Sequence, residues 1–340
     1  MQVVPFILRR LALGIFVLLG VLVVTFILSH SLPGNPVNAL LGKQATQLPQ
    51  LAAKLSSQYH YNDPLYVQFY YYLVNLLQGN LGYSTSRGME PVSYVIAQTL
   101  PFSLQIAFFA FFFSIIFGII LGVVSARYAH RPVDHLVRAV YLTGVSSPSF
   151  FIAIIFLIVF TFSFRILPGG GAVDQGIVAP TVITHLPMLD SLLEGKYSYF
   201  FSALRHVILP SLALAIGAFG VVVRILRTSL LEILQANYIR TARAKGLDER
   251  TVFFKHALRN GMIPVVTLSS LIVYSMIVGT LFVENIFSYP GLGQFVVGAL
   301  AGQDYAGILA TALIFAIVII LANLAADVLY VVVDPQIRLG

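Results

Sequence analysis

The length of the apolar runs constrains this chain before anything else does. Residues 11–29, 100–126, 139–164, 262–283 and 306–333 are each long enough to carry a helix across ~30 Å of hydrocarbon, which takes ~20 residues. A weaker run, 207–223, is barely long enough. Lipid offers no partner to a backbone N–H or C=O, so such runs become helices that satisfy their own hydrogen bonds. The pattern predicts an all-α polytopic membrane protein with six transmembrane helices. Only 10% of the 340 residues are charged, against about a quarter in soluble domains, which excludes a water-solvated globule.

Lysine and arginine set the orientation. With the N-terminus inside, the cytoplasmic pieces hold Arg9, Arg10, Arg127, Arg131, Arg138, Arg338 and the eight cations of residues 224–262. The outer pieces hold six, Lys43, Lys54, Arg87, Arg165, Lys196 and Arg205, spread over far more residues. Both termini are therefore expected in the cytoplasm. The first apolar run exceeds the ~7–15 residues of a signal-peptide core and no small-residue cleavage site follows it, so it reads as an uncleaved span; Arg9-Arg10 alone is weak support for a twin-arginine signal. The net charge of +7 follows from this inside excess. No aromatic and basic platform for nucleic acid accompanies it.

The remainder is one transmembrane domain, residues 1–340, with an extracytoplasmic lobe at 32–99 and a cytoplasmic loop at 224–262. The lobe is rich in tyrosine and punctuated by proline, and short amphipathic helices are expected at 48–59 and 65–77. Its run Phe69-Tyr70-Tyr71-Tyr72 reads either as an interfacial aromatic belt or as packing inside the lobe. Gly169-Gly170-Gly171 reads as a flexible loop, because cradling a phosphate would require a following helix and a lysine in register.

No catalytic set emerges. The seven histidines are scattered, no H-E-x-x-H or paired-carboxylate spacing occurs, and Gln44 stands where a phosphate loop ending at Gly42-Lys43 needs Ser or Thr. There is no cysteine, hence no disulfide or thiolate site. No metal or cofactor is expected.

The informative stretch is the cationic loop. Tyr238 to Gly246 (Tyr238, Ile239, Arg240, Thr241, Ala242, Arg243, Ala244, Lys245, Gly246) reads as one short helix. At 100° per residue Tyr238, Ile239, Ala242 and Gly246 share an arc, with Arg240 and Arg243 on the far side. Ala242 and Gly246 are small enough for a partner backbone to approach, and the arginines can reach carboxylates, so this is expected to be a docking helix. Among the spans, Pro148 between Ser147 and Ser149 is expected to kink the third one. Asn323 and Asp327 are expected to share a face of the last span, either pinning a helix contact near the inner leaflet or serving the gate or pathway. Glu284 ends the fifth as an interfacial or gate-loop residue. Gly118 and Gly122 form a small-residue pair suited to close packing.

YIRTARAKG followed by HALRNGMIP resembles the cytoplasmic EAA loop of ABC-transporter permeases of the dipeptide, oligopeptide and nickel class. LPGNP, DPLYVQF, QGNLGYS, SSPSFF, LRHVILPSLAL, VENIFSYPGLG and LYVVVDPQIR extend the resemblance over nearly the whole chain. Arg240-Thr241-Ala242 departs from the Glu-Ala-Ala of the generic loop, and residues 178–200 look like an insertion relative to shorter members. The resemblance implies a type I ABC importer permease in the cytoplasmic membrane. Its partners would be a second, homologous permease, two cytoplasmic ATPases that hold ATP and Mg, and an extracytoplasmic solute-binding protein. Peptides lead as solute, with oligosaccharides or metal chelates as alternatives. A proton-coupled carrier would need more intramembrane acids and an internal inverted repeat. The topology has a direct test: cysteines placed at Ser56 and Ser198 should react with an impermeant reagent outside intact cells, whereas one at Ser229 should not, and labelling at Ser229 would reverse the orientation.

Overall fold

The computed structural model describes residues 3–31, 62–333 and positions 50, 56 and 60, with side chains except at 3–6, 270 and 326–333. It divides into two compact units, one of Met1–Phe102 with Pro290–Ile320 and the other of Ser103–Tyr289 with Leu321–Gly340. Among the described residues four helices are long and apolar enough to cross a membrane, and two bent helix pairs raise the number to as many as six. The helix expected at 48–59 lies outside the described residues.

The first unit contains α1 (Val3–His30), α2 (Leu65–Leu77), a two-stranded antiparallel hairpin of β1 (Tyr83–Ser84) and β2 (Glu90–Pro91), and the beginning of α3 (Val92–Arg127). The helix expected at 65–77 is present over those residues. The tyrosine run divides by helical phase. Phe69 sets its ring edge-on to Phe26 and Tyr72 tilts towards it, with centroids 5.1 and 6.0 Å away, while Tyr66 and Tyr70 stand exposed. Phe69 and Tyr72 thus pack inside the unit, as one reading of the aromatic run expects.

Two features of this unit were not anticipated. The stretch after Glu284 contains a further short apolar helix, which for numbering in chain order becomes α11 (Leu292–Ala301) ahead of α12 (Tyr305–Val333). Leu292 and Ala310 pack with Val92 and Ile96 into one buried cluster. Between the two helices Asp304 is completely buried and fully engaged. Its Oδ1 accepts the backbone N–H of Gly307 at 2.9 Å, capping α12. Its Oδ2 accepts the Ser84 hydroxyl, the Ser86 hydroxyl at 2.9 Å and the Ser86 N–H at 3.2 Å. One carboxylate thereby ties the hairpin to the helix start.

The second unit is built around α7 (Tyr197–Leu234), whose 38 residues extend about 57 Å, well beyond ~30 Å of hydrocarbon. Against it lie α4 (Pro132–Ser146), α5 (Ser149–Phe156, continuing as π-helix over Leu157–Ser163) and α6 (Pro187–Leu193). After α7 come α8 (Asn237–Ala244), the three-part α9 (Glu249–Thr251, π-helical Val252–Leu258, Arg259–Gly261) and α10 (Ile263–Ile286). The weak run at 207–223 is the middle of this longest helix. The helix is the most buried of the four long ones, and the apolar run looked short because buried His206 ends it on one side and Arg224 on the other.

Glycines let neighbouring helices approach α7 closely. A Cβ at Gly118 of α3 would lie 2.5 Å from the Val222 side chain, and one at Gly122 would lie 3.1 Å from Leu226, so the expected small-residue pair is a packing seam. Gly144 of α4 faces Ile216 in the same way, and Gly220 of α7 faces Val145. On the far side of α3, Phe108, Phe112, Ile116 and Ile120 are exposed at four-residue spacing, a stripe for lipid or a neighbouring span.

Two expectations change here. Pro148 does not kink one continuous helix: α4 and α5 meet at 110°, with Ser147 extended and Pro148 as the residue preceding α5. Proline disfavours the helical conformation in the residue before it, so the helix stops rather than bends. The glycine triplet is not a loose loop either. Gly171 donates its N–H to the Phe287 carbonyl at 3.0 Å, and a Cβ on Gly169 would lie 2.6 Å from the Thr161 side chain.

Replacing Asp304 with Ala should release the hairpin. Hydrogen bonds to a charged group are worth about 1.5–3 kcal/mol each. A net loss of about 3 kcal/mol would raise the open fraction roughly a hundredfold. Protease cleavage between residues 83 and 91 in proteoliposomes, at limiting protease, measures it; an unchanged rate would show that the carboxylate is not the tie.

Candidate coupling site

The cationic loop folds into a module attached to α7. The last turns of α7 bury Leu226 and Leu230, and Gly261 at the end of α9 comes against Leu230, where a Cβ would lie 2.8 Å from the Leu230 side chain. Gln235 closes α7, Ala236 is extended, and α8 begins at Asn237. The expected helix is therefore present, one residue earlier at its start and ending before Gly246.

Its termination is a Schellman motif. The Gly246 N–H donates to the Arg243 carbonyl at 2.9 Å and the Leu247 N–H donates to the Ala242 carbonyl at 3.4 Å. Gly246 has φ +76°, in the left-handed region that favours glycine, as expected. Within the chain nothing crowds the position a Cβ would take, so the left-handed φ is what this fold itself asks of residue 246. Asp248 then caps α9 by accepting the Thr251 N–H at 3.0 Å. Hydrogen bonds from Thr251 hold its carboxyl below the usual carboxylate range. The ionised cap is therefore present at neutral pH and weakens only as pH falls through that lowered value.

Ile239 and Ala242 share a face with Tyr238 at its edge, but Gly246 lies past the helix end and outside that arc, and the face does not point the expected way. Ile239 is 0% and Ala242 8% exposed, and α8 packs on the π-helical stretch, where Val252, Phe253 and Ala257 are buried. Ala242 is small to fit its own chain. Tyr238, 43% exposed at the edge of this arc, accepts a hydrogen bond from the Asn260 side chain at 3.0 Å. The outward face is Asn237, Arg240, Thr241 and Ala244, at spacings of three and four, with Arg243 and Lys245 exposed beside it. Arg243, expected to seek a partner's acid, is engaged within the module: its Nε and Nη2 donate to the Glu249 carboxylate at 2.7 and 3.3 Å. The apolar run VFFKHAL at 252–258 held the missed signal, since a cytoplasmic loop must cover such residues and Ile239 with Ala242 is the cover.

The other candidates do not join this site. Pro148 lies at the elbow between α4 and α5. Glu284 is 0% exposed near the end of α10, where its carbonyl accepts the Tyr289 N–H at 2.8 Å; the buried Tyr289 hydroxyl in turn accepts a hydrogen bond from Gln105 at 2.9 Å. Asn323 is exposed on α12, and the side chain of Asp327 lies outside the described residues. Among the described residues no group of three His, Asp or Glu is placed to hold a metal ion.

An all-helical, multi-pass membrane protein with a folded cationic module on its longest helix is the class these features define. Residues 114–339 match the family model of the binding-protein-dependent transport system inner membrane component, and residues 3–107 match the N-terminal model of the same membrane components. The chain belongs to this family and is a multi-pass protein of the cytoplasmic membrane. It is similar to the probable D,D-dipeptide transport system permease protein DdpB of Escherichia coli K12, 38% identical over 335 residues and 98% of each chain. It is 37% identical over 335 residues, again 98% of each chain, to the di/tripeptide transport system permease protein DppB of Pseudomonas aeruginosa UCBPP-PA14. To the oligopeptide transport system permease protein AppB of Bacillus subtilis 168 it is 33% identical over 333 residues, covering 98% of this chain and 99% of that one.

The left-handed φ at residue 246 separates two substitutions. Asn tolerates the left-handed region and Val does not. Gly246→Asn should keep ATP-driven transport within about threefold, whereas Gly246→Val should lose most of it. Transport by complexes matched for subunit content checks this; equal loss in both would mean that space on a partner surface, not φ, selects glycine.

Proposed function

We propose that this chain is a membrane-spanning permease subunit of an ATP-driven importer of short peptides. The observation that carries the solute class is the likeness over nearly the full length to relatives named for dipeptide, di/tripeptide and oligopeptide transport. In this reading the single transmembrane domain pairs with a second permease chain and the two together form the pathway. An extracytoplasmic binding protein delivers the peptide, and two cytoplasmic ATPases bind ATP and Mg; this chain hydrolyses nothing itself.

The coupling residues are 238–246, of which Arg240, Thr241 and Ala244 face the ATPase together with Asn237. Thr241 and Ala244 are short enough for close seating, while Arg240 adds charge at the rim. Exposed ion pairs contribute only ~0–1 kcal/mol, so shape on this face outweighs the arginine. ATP-driven closure of the ATPase pair carries α8 with it, and the rigid attachment of the module to α7 passes the displacement into the bundle. The chemistry of ATP thereby biases a helix bundle that has two arrangements. Glu284 and Pro148 are assigned to the pathway side, as a buried carboxyl beyond the fifth span and an elbow in the third.

Reconstitution with the partner subunits tests the reading. Proteoliposomes holding this permease, its paired permease, the ATPases and the binding protein should take up labelled di- and tripeptides only with ATP, whereas oligosaccharides and nickel chelates should neither compete nor stimulate hydrolysis. The purified single chain should show no ATP turnover. Uptake driven by a proton gradient in the single chain would overturn the assignment.

A further inference from the structure

Three separate pieces of the second unit converge on one carboxylate that the coupling module does not include. Asp134, in the first turn of α4, is 0% exposed. Its Oδ1 accepts the hydroxyl of Ser125, near the end of α3, at 2.5 Å, and the Nε–H of Arg227 at 2.9 Å. Its Oδ2 accepts a second Arg227 hydrogen bond, from Nη2 at 2.7 Å, and the backbone N–H of His130 at 3.0 Å. The pair is bidentate, and the Arg227 side chain is only 15% exposed. Sequence reasoning counted Arg227 only as an inside charge and passed over Asp134.

Its place on α7 gives the pair its meaning. Arg227 lies between Leu226, which meets Gly122 of α3, and Leu230, which meets Gly261 at the end of the loop module. The module is thus anchored within one turn of the residue that grips α4 and the end of α3. A movement of α8 and α9 that shifts the end of α7 must pass this point before it reaches the other helices.

We propose that Asp134 and Arg227 are positioning residues that clamp α7 to α3 and α4 and so transmit the displacement of the loop module into the bundle. The proposal rests on the reading of α8 as the ATPase-facing helix. Fixed geometry, rather than stability, is what such a pair supplies. A buried ion pair must overcome the desolvation of both charges, and well-packed apolar residues of similar volume often hold a fold as well or better. A planar guanidinium fork on a carboxylate adds direction: it resists sliding and rotation of one helix on the other, which an apolar contact permits.

That difference provides the test. Asp134→Asn, Arg227→Gln and the double apolar variant Asp134→Leu with Arg227→Met are compared with the native chain in the complete importer in proteoliposomes. Subunit co-purification, basal ATP hydrolysis and peptide transported per ATP are measured. A structural role alone would lower yield without changing transport per ATP. The double variant is expected to assemble and hydrolyse ATP at a basal rate within about twofold of native, while transport per ATP falls at least tenfold; each single variant that assembles should fall similarly. Native transport per ATP in the double variant would overturn the proposal, as would its failure to assemble, which would make the pair a determinant of folding. Absence of ATP-driven uptake by the native complex would instead overturn the functional reading beneath it.

Discussion

Close approach of helices to α7 is the constraint on which the second unit depends. Lipid tails are as apolar as leucine, so burying one apolar helix against another in a bilayer gains nothing from leaving water. What remains is dispersion, which falls off steeply as a gap opens. Gly118, Gly122 and Gly144 on its neighbours, with Gly220 on α7 itself, bring helices into contact with Val222, Leu226, Ile216 and Val145 at distances that leave no room for a methyl group. Further along α7, Gly261 of the loop module seats as closely against Leu230. One helix therefore carries the packing of the membrane bundle and the anchor of the cytoplasmic module without a joint between them.

The module is stiff for a different reason. Outside lipid it can use the hydrophobic effect, and it buries Ile239 and Ala242 on Val252, Phe253 and Ala257. Its polar contacts are local: a Schellman turn, an Asp248 cap, Arg243 on Glu249 and Tyr238 with Asn260. Each is individually modest. Together they fix the angle between α8 and α9, so a push on the outward face of α8 moves the module as one piece. The apolar face of α8 is thus taken up by its own chain, and short and polar side chains are left on its outward face.

How much of this was legible follows from which physics each feature uses. Long apolar runs, the α2 boundaries, the left-handed glycine and the small-residue seam depend on local spacing and were readable. The direction of α8 was not, because an amphipathic helix presents an apolar face without stating what covers it; only the phase of residues 252–258 could have decided that. The span at 207–223 looked short because His206 and Arg224 bound its apolar run, and nothing in the spacing says that His206 is buried inside a longer helix. Asp134 with Arg227, and Asp304 with Ser84 and Ser86, join residues 93 and more than 200 positions apart. No periodicity signals such pairings. Both were visible only as charges, in a chain where few charges occur.

Rigid and yielding parts of the second unit also differ in backbone type. α7 is α-helical through its 38 residues, with Pro210 removing one ladder hydrogen bond ahead of the glycine contacts, whereas π-helical stretches occur at Leu157–Ser163, beyond the elbow of α5, and at Val252–Leu258, inside the loop module. A π-stretch widens the helix and loosens its hydrogen-bond ladder, and such segments concentrate at functional positions. Both lie next to tight glycine contacts, Gly169 on Thr161 and Gly261 on Leu230. A bundle that must adopt two arrangements needs a stiff element to carry displacement and neighbours able to change register around it. A continuous α7 flanked by two π-stretches provides that division, with the carboxylate of Asp134 at the point where the stiff element meets α4.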